Sequence, residues 1–336
     1  MKKNYTFLIA LFFSLSLYAQ DTFSIIAVDP DTGEVGSAGA SCVDGIGAFG
    51  GLIDIITDII PGRGGVNSQA FVCIPNSNLA SAIEQMEAGL SPDEIIDYLV
   101  NNDNCSSQNF NPEFRQYGIA DLDTDGNPRT AGFTGSLADD FKDDRQGATY
   151  SVQGNILLNE TVLINMENNF NSTEGNLADK LMAAMQGANF AGADMRCLDR
   201  GTSSTAAYLV VYQATDAPGD PTLRLNIEEM PFGEEPIDSL QTLYDNVLSL
   251  QENTLENNVR IFPNPVSNQF QVVLPPSTFI SKLEVFDVTG KQVHVQTQFT
   301  GLDTGETIDS SSFKKGVYFV RITGAKEIQT IKIIKN

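Results

Sequence analysis

Thr22 heads the stretch TFSIIAVDPDTGEVGSAGAS, where a strand begins just after an apolar leader. A threonine at a chain terminus is a self-contained hydrolytic device. Its hydroxyl is the nucleophile and its own α-amine the base, so no histidine is needed. The chain carries one histidine, His294, close to the C-terminus. Ser-His-Asp and Cys-His triads, and His-ligated zinc, are therefore excluded from everything before it. Hydrolysis there must use a terminal amine, carboxylates, lysine or an oxygen-ligated metal.

Other residues could complete such a site. If Val28 pairs with Val35 in an antiparallel hairpin, Ser41 falls opposite Thr22, with Cys42 at the same sheet edge. Gln153 and Asn155, in SVQGN, carry amide donors suited to an oxyanion hole. Asp194 and Arg196, in GADMR, could orient an amine and hold a substrate carboxylate, since arginine presents a bidentate fork. Each also reads as an ordinary strand-end, turn or ion-pair residue, and the sequence leaves both readings open. Asp121 to Gly126 (DLDTDG) imitates the start of a calcium loop, but the twelfth position is Gly132 where a bidentate Glu is required. A hairpin turn is the better reading, and no metal or cofactor is expected. The glycine-rich stretch 45–65 lacks the lysine and spacing of a phosphate cradle.

The elements that must position these residues alternate between hairpins and helix pairs. The stretch 22–41 is a hairpin turning at Asp29-Pro-Asp-Thr-Gly33. A loop over 45–65 precedes a strand in VNSQAFVCI. Helices follow at 78–88 and after Ser91, where Ser-Pro-Asp-Glu supplies an N-cap, a first-turn proline and acidic residues. RQYGIADLDTDGNPRTAGFTG is a second hairpin. YSVQGNIL is a strand, 160–169 and 177–186 are helices, TAAYLVVY is a buried strand, and 236–250 is a closing helix. The absence of a regular βαβ alternation predicts antiparallel sheets covered by helices, an α+β fold.

The ends of the chain differ from its middle. Residues 1–19 have a basic start, an apolar core FLIALFFSLSL and a small residue at Ala19, which predicts a secretory signal too short to span a bilayer. Export makes the four cysteines disulfide candidates. Cys42–Cys197 and Cys73–Cys105 are the pairing favoured by topology: the first would clamp the 194–196 loop to the Thr22 edge, the second would tie the helix pair back to its sheet. From Asn258 onward 9 Lys and Arg face 6 Asp and Glu; the rest of the chain has 11 basic against 37 acidic residues. So acidic a domain argues against nucleic-acid binding, which needs a basic footprint. The basic tail reads as short alternating strands between turn signals, a small β-sandwich.

The tail resembles the type A C-terminal sorting domain of the Bacteroidetes type IX secretion system. FPNPVSN (Phe262 to Asn268), VFDVTGK (Val285 to Lys291), KKGVYFVRI (Lys314 to Ile322) and the closing KIIKN carry the likeness. It implies an address read by the type IX machinery, and secretion or display at the cell surface. The middle is similar to the family called domain of unknown function 1028, placed with the N-terminal-nucleophile hydrolases. TFSIIAVDPDTGEVG (Thr22 to Gly36), AGLSPDEII (Ala88 to Ile96), RQYGIAD, AGFTG, YSVQGN and AGADMR carry that likeness. It implies a four-layer αββα sandwich and an amide-bond hydrolase activity on an unidentified small or peptide-like amide.

The expected organisation is a signal at 1–19, a hydrolase-like domain at 20–250, a linker at 251–258 and a sorting domain at 259–336. The expected function is amide hydrolysis by Thr22, supported by Ser41, Asn155 and Asp194, with Gln153 and Arg196 on the substrate. The competing expectation is a non-catalytic secreted binding or scaffold protein that keeps the fold. Homo-oligomerisation is left open. One departure from the family pattern bears on both: a cut after Ala19 leaves Gln20 and Asp21 ahead of Thr22, and only their removal frees its amine.

Overall fold

The computed structural model describes residues 22–256, 259–274, 280–299, 305–324 and 328–336. The leader expected at 1–19, and Gln20 and Asp21, lie outside the described residues. Strand β1 (Thr22–Val28) turns at Gly33, whose φ of 73° suits glycine, into β2 (Val35–Ser41). The register pairs Val28 with Val35 and Thr22 with Ser41, as the sequence predicts. Side chains alternate across a strand, so Thr22, Ser24, Ile26 and Val28 share one face and Phe23, Ile25 and Ala27 the other.

The chain continues through a short helix α1 (Ile53–Ile56), strands β3 (Thr57–Ile60) and β4 (Gly64–Ala70), and helices α2 (Ser77–Glu87) and α3 (Pro92–Asn101). Strands β5 (Arg115–Leu122), β6 (Pro128–Thr134), β7 (Asp143–Gln146) and β8 (Tyr150–Gly154) follow. Helices α4 (Thr161–Ser172) and α5 (Leu177–Gly187), strands β9 (Ala206–Tyr212) and β10 (Leu223–Ile227), and helix α6 (Pro236–Glu256) complete this part. Two antiparallel sheets result, ordered β10-β9-β2-β1-β8-β7 and β3-β4-β5-β6.

The sheets face each other, with β1 packed against β4 and β5. Ile26, Val28, Val35, Ile56, Ile59, Leu122 and Val210 join the core that the α1 region completes. On the outer face of the smaller sheet, Leu79, Met86, Ile95 and Leu99 of α2 and α3 pack on Val66, Tyr117 and Ile119. The Ser91 side chain and Glu94 close the capping box that starts α3, with Pro92 at its first position. On the other side α5 packs on β2 and β9, and α4 on β8. The approach of α5 is close: a Cβ at Gly36 would stand 2.6 Å from Leu181 Cδ1, so the small residues of VGSAGAS let the helix settle there.

Three expectations are corrected. The stretch 45–65 holds α1 and β3, because its IDIITDII run is apolar enough to join the core. Strand β4 ends at Ala70, so Cys73 lies three residues beyond it. Helix α6 runs to Glu256, through most of the expected linker; residues 257 and 258 lie outside the described residues. The chain divides after Leu243 into two compact units.

The second unit is β-rich. Strands β11 (Arg260–Phe262), β12 (Gln269–Val273) and β15 (Glu306–Asp309) form one sheet. Strands β13 (Ile280–Asp287), β14 (Gln292–Gln296), β16 (Gly316–Gly324) and β17 (Ile328–Lys335) form the other. Phe270, Val272, Leu283, Val285, Val320 and Ile322 are among its core residues. The closing strand is pinned to the FPNPV motif by Val266 N–H donating to the Ile334 carbonyl at 2.6 Å.

A buried ion pair anchors the loop after α3. Arg115 Nε donates to Asp103 Oδ2 at 2.9 Å, both side chains being almost wholly buried. The remaining guanidinium donors reach the carbonyls of Phe71, Cys105 and Ser107 and the Ser107 hydroxyl. Asp103→Asn leaves a buried cation without its counter-charge. We expect it to lower unfolding free energy by about 3–5 kcal/mol, read by urea denaturation; a loss under about 1 kcal/mol would show the pair to be solvated.

Candidate functional site

The hairpin register and the neighbouring strand converge on Thr22. Its N–H donates to Asn155 Oδ1 at 3.1 Å, while Asn155 N–H donates back to the Thr22 carbonyl at 3.1 Å. Asn155 immediately follows β8, which pairs with β1, and this brings it to the strand head. Gln69 Nε2 donates to the same Thr22 carbonyl at 2.9 Å. Ser41 is held across the ladder. Its carbonyl accepts from Thr205 N and Oγ1 at 2.9 and 3.1 Å, and its hydroxyl accepts from Arg196 Nη2 at 3.5 Å.

Asp194 is the hub on the far side. Its Oδ2 accepts from Cys42 N–H at 2.8 Å and from Arg196 Nη2 at 2.6 Å; its Oδ1 accepts from Arg196 N and Nε at 3.1 and 3.0 Å. The carboxylate is wholly buried, and the bidentate arginine supplies its counter-charge. A disulfide joins Cys42 to Cys197, with Cα atoms 5.8 Å apart, and fixes the 194–197 loop to the end of β2. The second bridge, Cys73–Cys105, lies in the loops around α2 and α3. Thr22, Ser41, Asn155, Asp194 and Arg196 are thus brought together.

Gln153 is not at the strand head. It sits opposite Ser24, and its Nε2 donates to Ser24 Oγ at 2.6 Å. It belongs to a buried polar network between the sheets. Ser24 Oγ donates to Gln69 Oε1 at 2.6 Å and accepts from Asn67 Nδ2 at 3.0 Å. Gln69 donates on to Gln116 Oε1 at 2.8 Å, and Gln116 to the Gly154 carbonyl at 2.9 Å. Gly118 makes room for it: a Cβ there would stand 1.9 Å from Gln153 Oε1. Ser37, bonded to Asn67 Oδ1 at 2.9 Å, extends the network to Tyr208, whose phenol burial pushes up. Sequence reasoning missed Ser24, Asn67, Gln69 and Gln116; the available signal was a run of amides inside otherwise buried strands.

The Asp121 to Gly126 segment is the end of β5 and the hairpin turn that follows it. Asp121 pairs with Arg63 and Arg129, and Asp123 accepts from the N–H groups of Asp125 and Asn127. Beside the Ser41 edge opens a cleft of about 630 Å³, lined by Cys42, Val43, Asp44, Arg196, Asp199, Arg200 and Phe232.

Residues 22–240 match the family of unknown function DUF1028. This chain belongs to that family. A crystal structure of a DUF1028 protein from Silicibacter pomeroyi is similar at 24% identity and a TM-score of 0.51, over 68% of this chain and 86% of that one. At that identity the likeness speaks for the fold alone: mixed α/β with antiparallel sheets. Residues 260–336 match the secretion system C-terminal sorting domain. An endo-acting ulvan lyase from Formosa agariphila is 35% identical over 77 residues, 23% of this chain and 14% of that protein. The chain therefore spans about a seventh of that curated relative's length. The sorting domain marks this DUF1028 protein for the type IX machinery, and for secretion or the cell surface. No helix among the described residues is long and apolar enough to cross a membrane.

Proposed function

We propose that this protein is an exported amide hydrolase of the N-terminal-nucleophile type, built on the αββα arrangement that name implies. Trimming of Gln20 and Asp21 turns the Thr22 amide into an amine. That amine takes the Thr22 hydroxyl proton as the oxygen attacks an amide carbonyl. The proton passes to the leaving amine, and water releases the ester. A terminal amine suits the task because its ordinary pKa, ~7.7–8.0, lies near working pH. The observation that carries the reading is the bond from Thr22 N–H to Asn155 Oδ1 at 3.1 Å, which aims the future base. Ser41 flanks the nucleophile, Asp194 holds Arg196 and the Cys42 backbone in place, and Asn155 Nδ2 and Arg196 are the polar contacts assigned to substrate. Gln153 acts one step removed, through Ser24.

N-terminal sequencing of the exported protein tests this. A mature start at Thr22 is the expected result; a stable start at Gln20 or Asp21 overturns it. The sorting domain matched over 260–336 yields a second expectation. Deleting Arg260 to Asn336 should leave a folded, soluble protein in the periplasm, with surface-exposed material lost by at least about tenfold on fractionation. Undiminished surface display would show the address to lie elsewhere.

A further inference from the structure

The cleft beside Ser41 shares Arg196 with the chemistry above, and its other walls are unusual. Arg200 is largely buried, at 17% side-chain exposure, yet its Nε has no hydrogen-bond partner. A desolvated donor without an acceptor costs stability, and charged donors cost the most. Its Nη2 donates to the Met230 carbonyl at 3.1 Å, and Nη1 stands 3.6 Å from Asp44, whose side chain is 88% exposed. So loose and solvated an ion pair contributes little and is easily displaced. The guanidinium lies 5.1 Å from the ring centroid of Phe232, which is itself 70% exposed. A phenylalanine left this open gains little for folding. Val43 and the buried Cys42 add apolar wall.

We propose that this cleft is a subsite for an amino-acid carboxylate: the ligand's carboxylate displaces Asp44 from Arg200, and its apolar side chain lies against Phe232. Carboxylate fits better than a phosphate dianion, because Asp44 and Asp199 border the cleft in a strongly acidic domain. Cys42 follows the residue paired with Thr22, so the cleft begins about one residue from the strand head. That spacing suits an N-acyl amino acid or the C-terminal residue of a peptide. Its acyl carbonyl would be attacked by Thr22, the C–N bond would break, and the free amino acid would leave from the cleft with the proton on its amine. This role rests on the hydrolase reading; the binding does not.

The test is calorimetric titration of full-length Thr22→Ala protein, which cannot turn the probe over, with N-acetyl-L-phenylalanine. Saturable binding is expected, at least about tenfold weaker for the uncharged N-acetyl-L-phenylalaninamide and for Arg200→Gln, and about fivefold weaker for Phe232→Ala. Phe232 is exposed, so its variant folds even if Arg200→Gln does not. No saturable binding, equal binding of acid and amide, or undiminished binding by Phe232→Ala would overturn the subsite. Wild-type protein starting at Thr22 that binds the probe but cleaves neither it nor any other amide removes the hydrolase reading and leaves the subsite standing. Cleavage of other amides without probe binding does the reverse.

Discussion

On the proposed mechanism, we expect Thr22→Ala to abolish amide turnover, by about 10³-fold or more, in protein whose chain starts at that position. The nucleophile contributes the bond that forms, and no neighbouring group replaces it, so the loss resembles that of other covalent catalysts. Thr22→Ser keeps the hydroxyl and the amine and retains activity. Thr22 is wholly buried, so alanine also costs about 1–2 kcal/mol of stability. That cost is small beside a domain's total and separates in a denaturation curve from the loss of rate. Protein still carrying Gln20 and Asp21 should be as inactive as Thr22→Ala, because its nitrogen is an amide and accepts no proton. Below the amine's pKa the base is protonated, so activity falls as pH drops through that pKa, which the burial of Thr22 moves down from the ordinary amine range. The measurement is hydrolysis of a panel of N-acyl amino acids and peptide amides by each form. Turnover surviving in Thr22→Ala would place the chemistry elsewhere.

Much of the frame was legible because local signals and tertiary demands agree. TFSIIAV and TAAYLVVY are apolar enough for buried strands, DPDTG can only turn, and Ser91-Pro-Asp-Glu starts a helix whatever it packs against. The two edge strands of the larger sheet were not legible. β7 is DDRQ, a charged edge strand beside β8, and β10 is LRLNI at the opposite edge of the same sheet. Charge on an edge strand such as β7 discourages pairing with other chains and erases the alternation by which strands are recognised, whereas LRLNI keeps that alternation and only its brevity hid it. The stretch 45–65 misled in the opposite way: its glycines read as loop, while the isoleucines between them belong to the inter-sheet core.

The site divides along the same line. Thr22 and Ser41 follow from counting register across one tight turn, which needs no tertiary knowledge. Gln153 in β8 and Asn155 just beyond its end lie two residues apart, and where the strand stops decides which meets Thr22. Gln69 and Gln116 were invisible for another reason. On a strand read alone an amide marks a solvent face; here both point into the gap between sheets, where every polar group finds a partner in the network. The cleft residues Arg200 and Phe232 lie thirty-two positions apart and share no local pattern at all.

Removing the Cys42–Cys197 bridge should cost more stability than Thr22→Ala or loss of the second bridge, and it should reach the site. The bridge spans 155 residues, and loop-closure entropy for such a span corresponds to about 5 kcal/mol. The Cys73–Cys105 bridge spans 32 residues and corresponds to about 3–4 kcal/mol. Two paired variants, Cys42→Ala with Cys197→Ala and Cys73→Ala with Cys105→Ala, therefore both lose stability in guanidinium denaturation, the first by more. Only the first bears on the loop that carries Asp194 and Arg196. The loop keeps its hydrogen bonds from Cys42 N–H to Asp194, from Asp194 N–H to the Ser203 carbonyl at 3.0 Å, from Met195 N–H to the Ile156 carbonyl at 2.8 Å and from Arg196 to Ser41, so loss of the bridge loosens it against the Cys42 edge without releasing it; a misplacement of about 1 Å is enough to slow catalysis. Below the denaturation midpoint the first variant should thus lose amide turnover by about tenfold or more, and the second should keep it. Equal activity in the two folded variants would mean that the 194–197 loop stands in place without its bridge. Four alkylatable thiols in the exported wild-type protein would remove the clamp altogether.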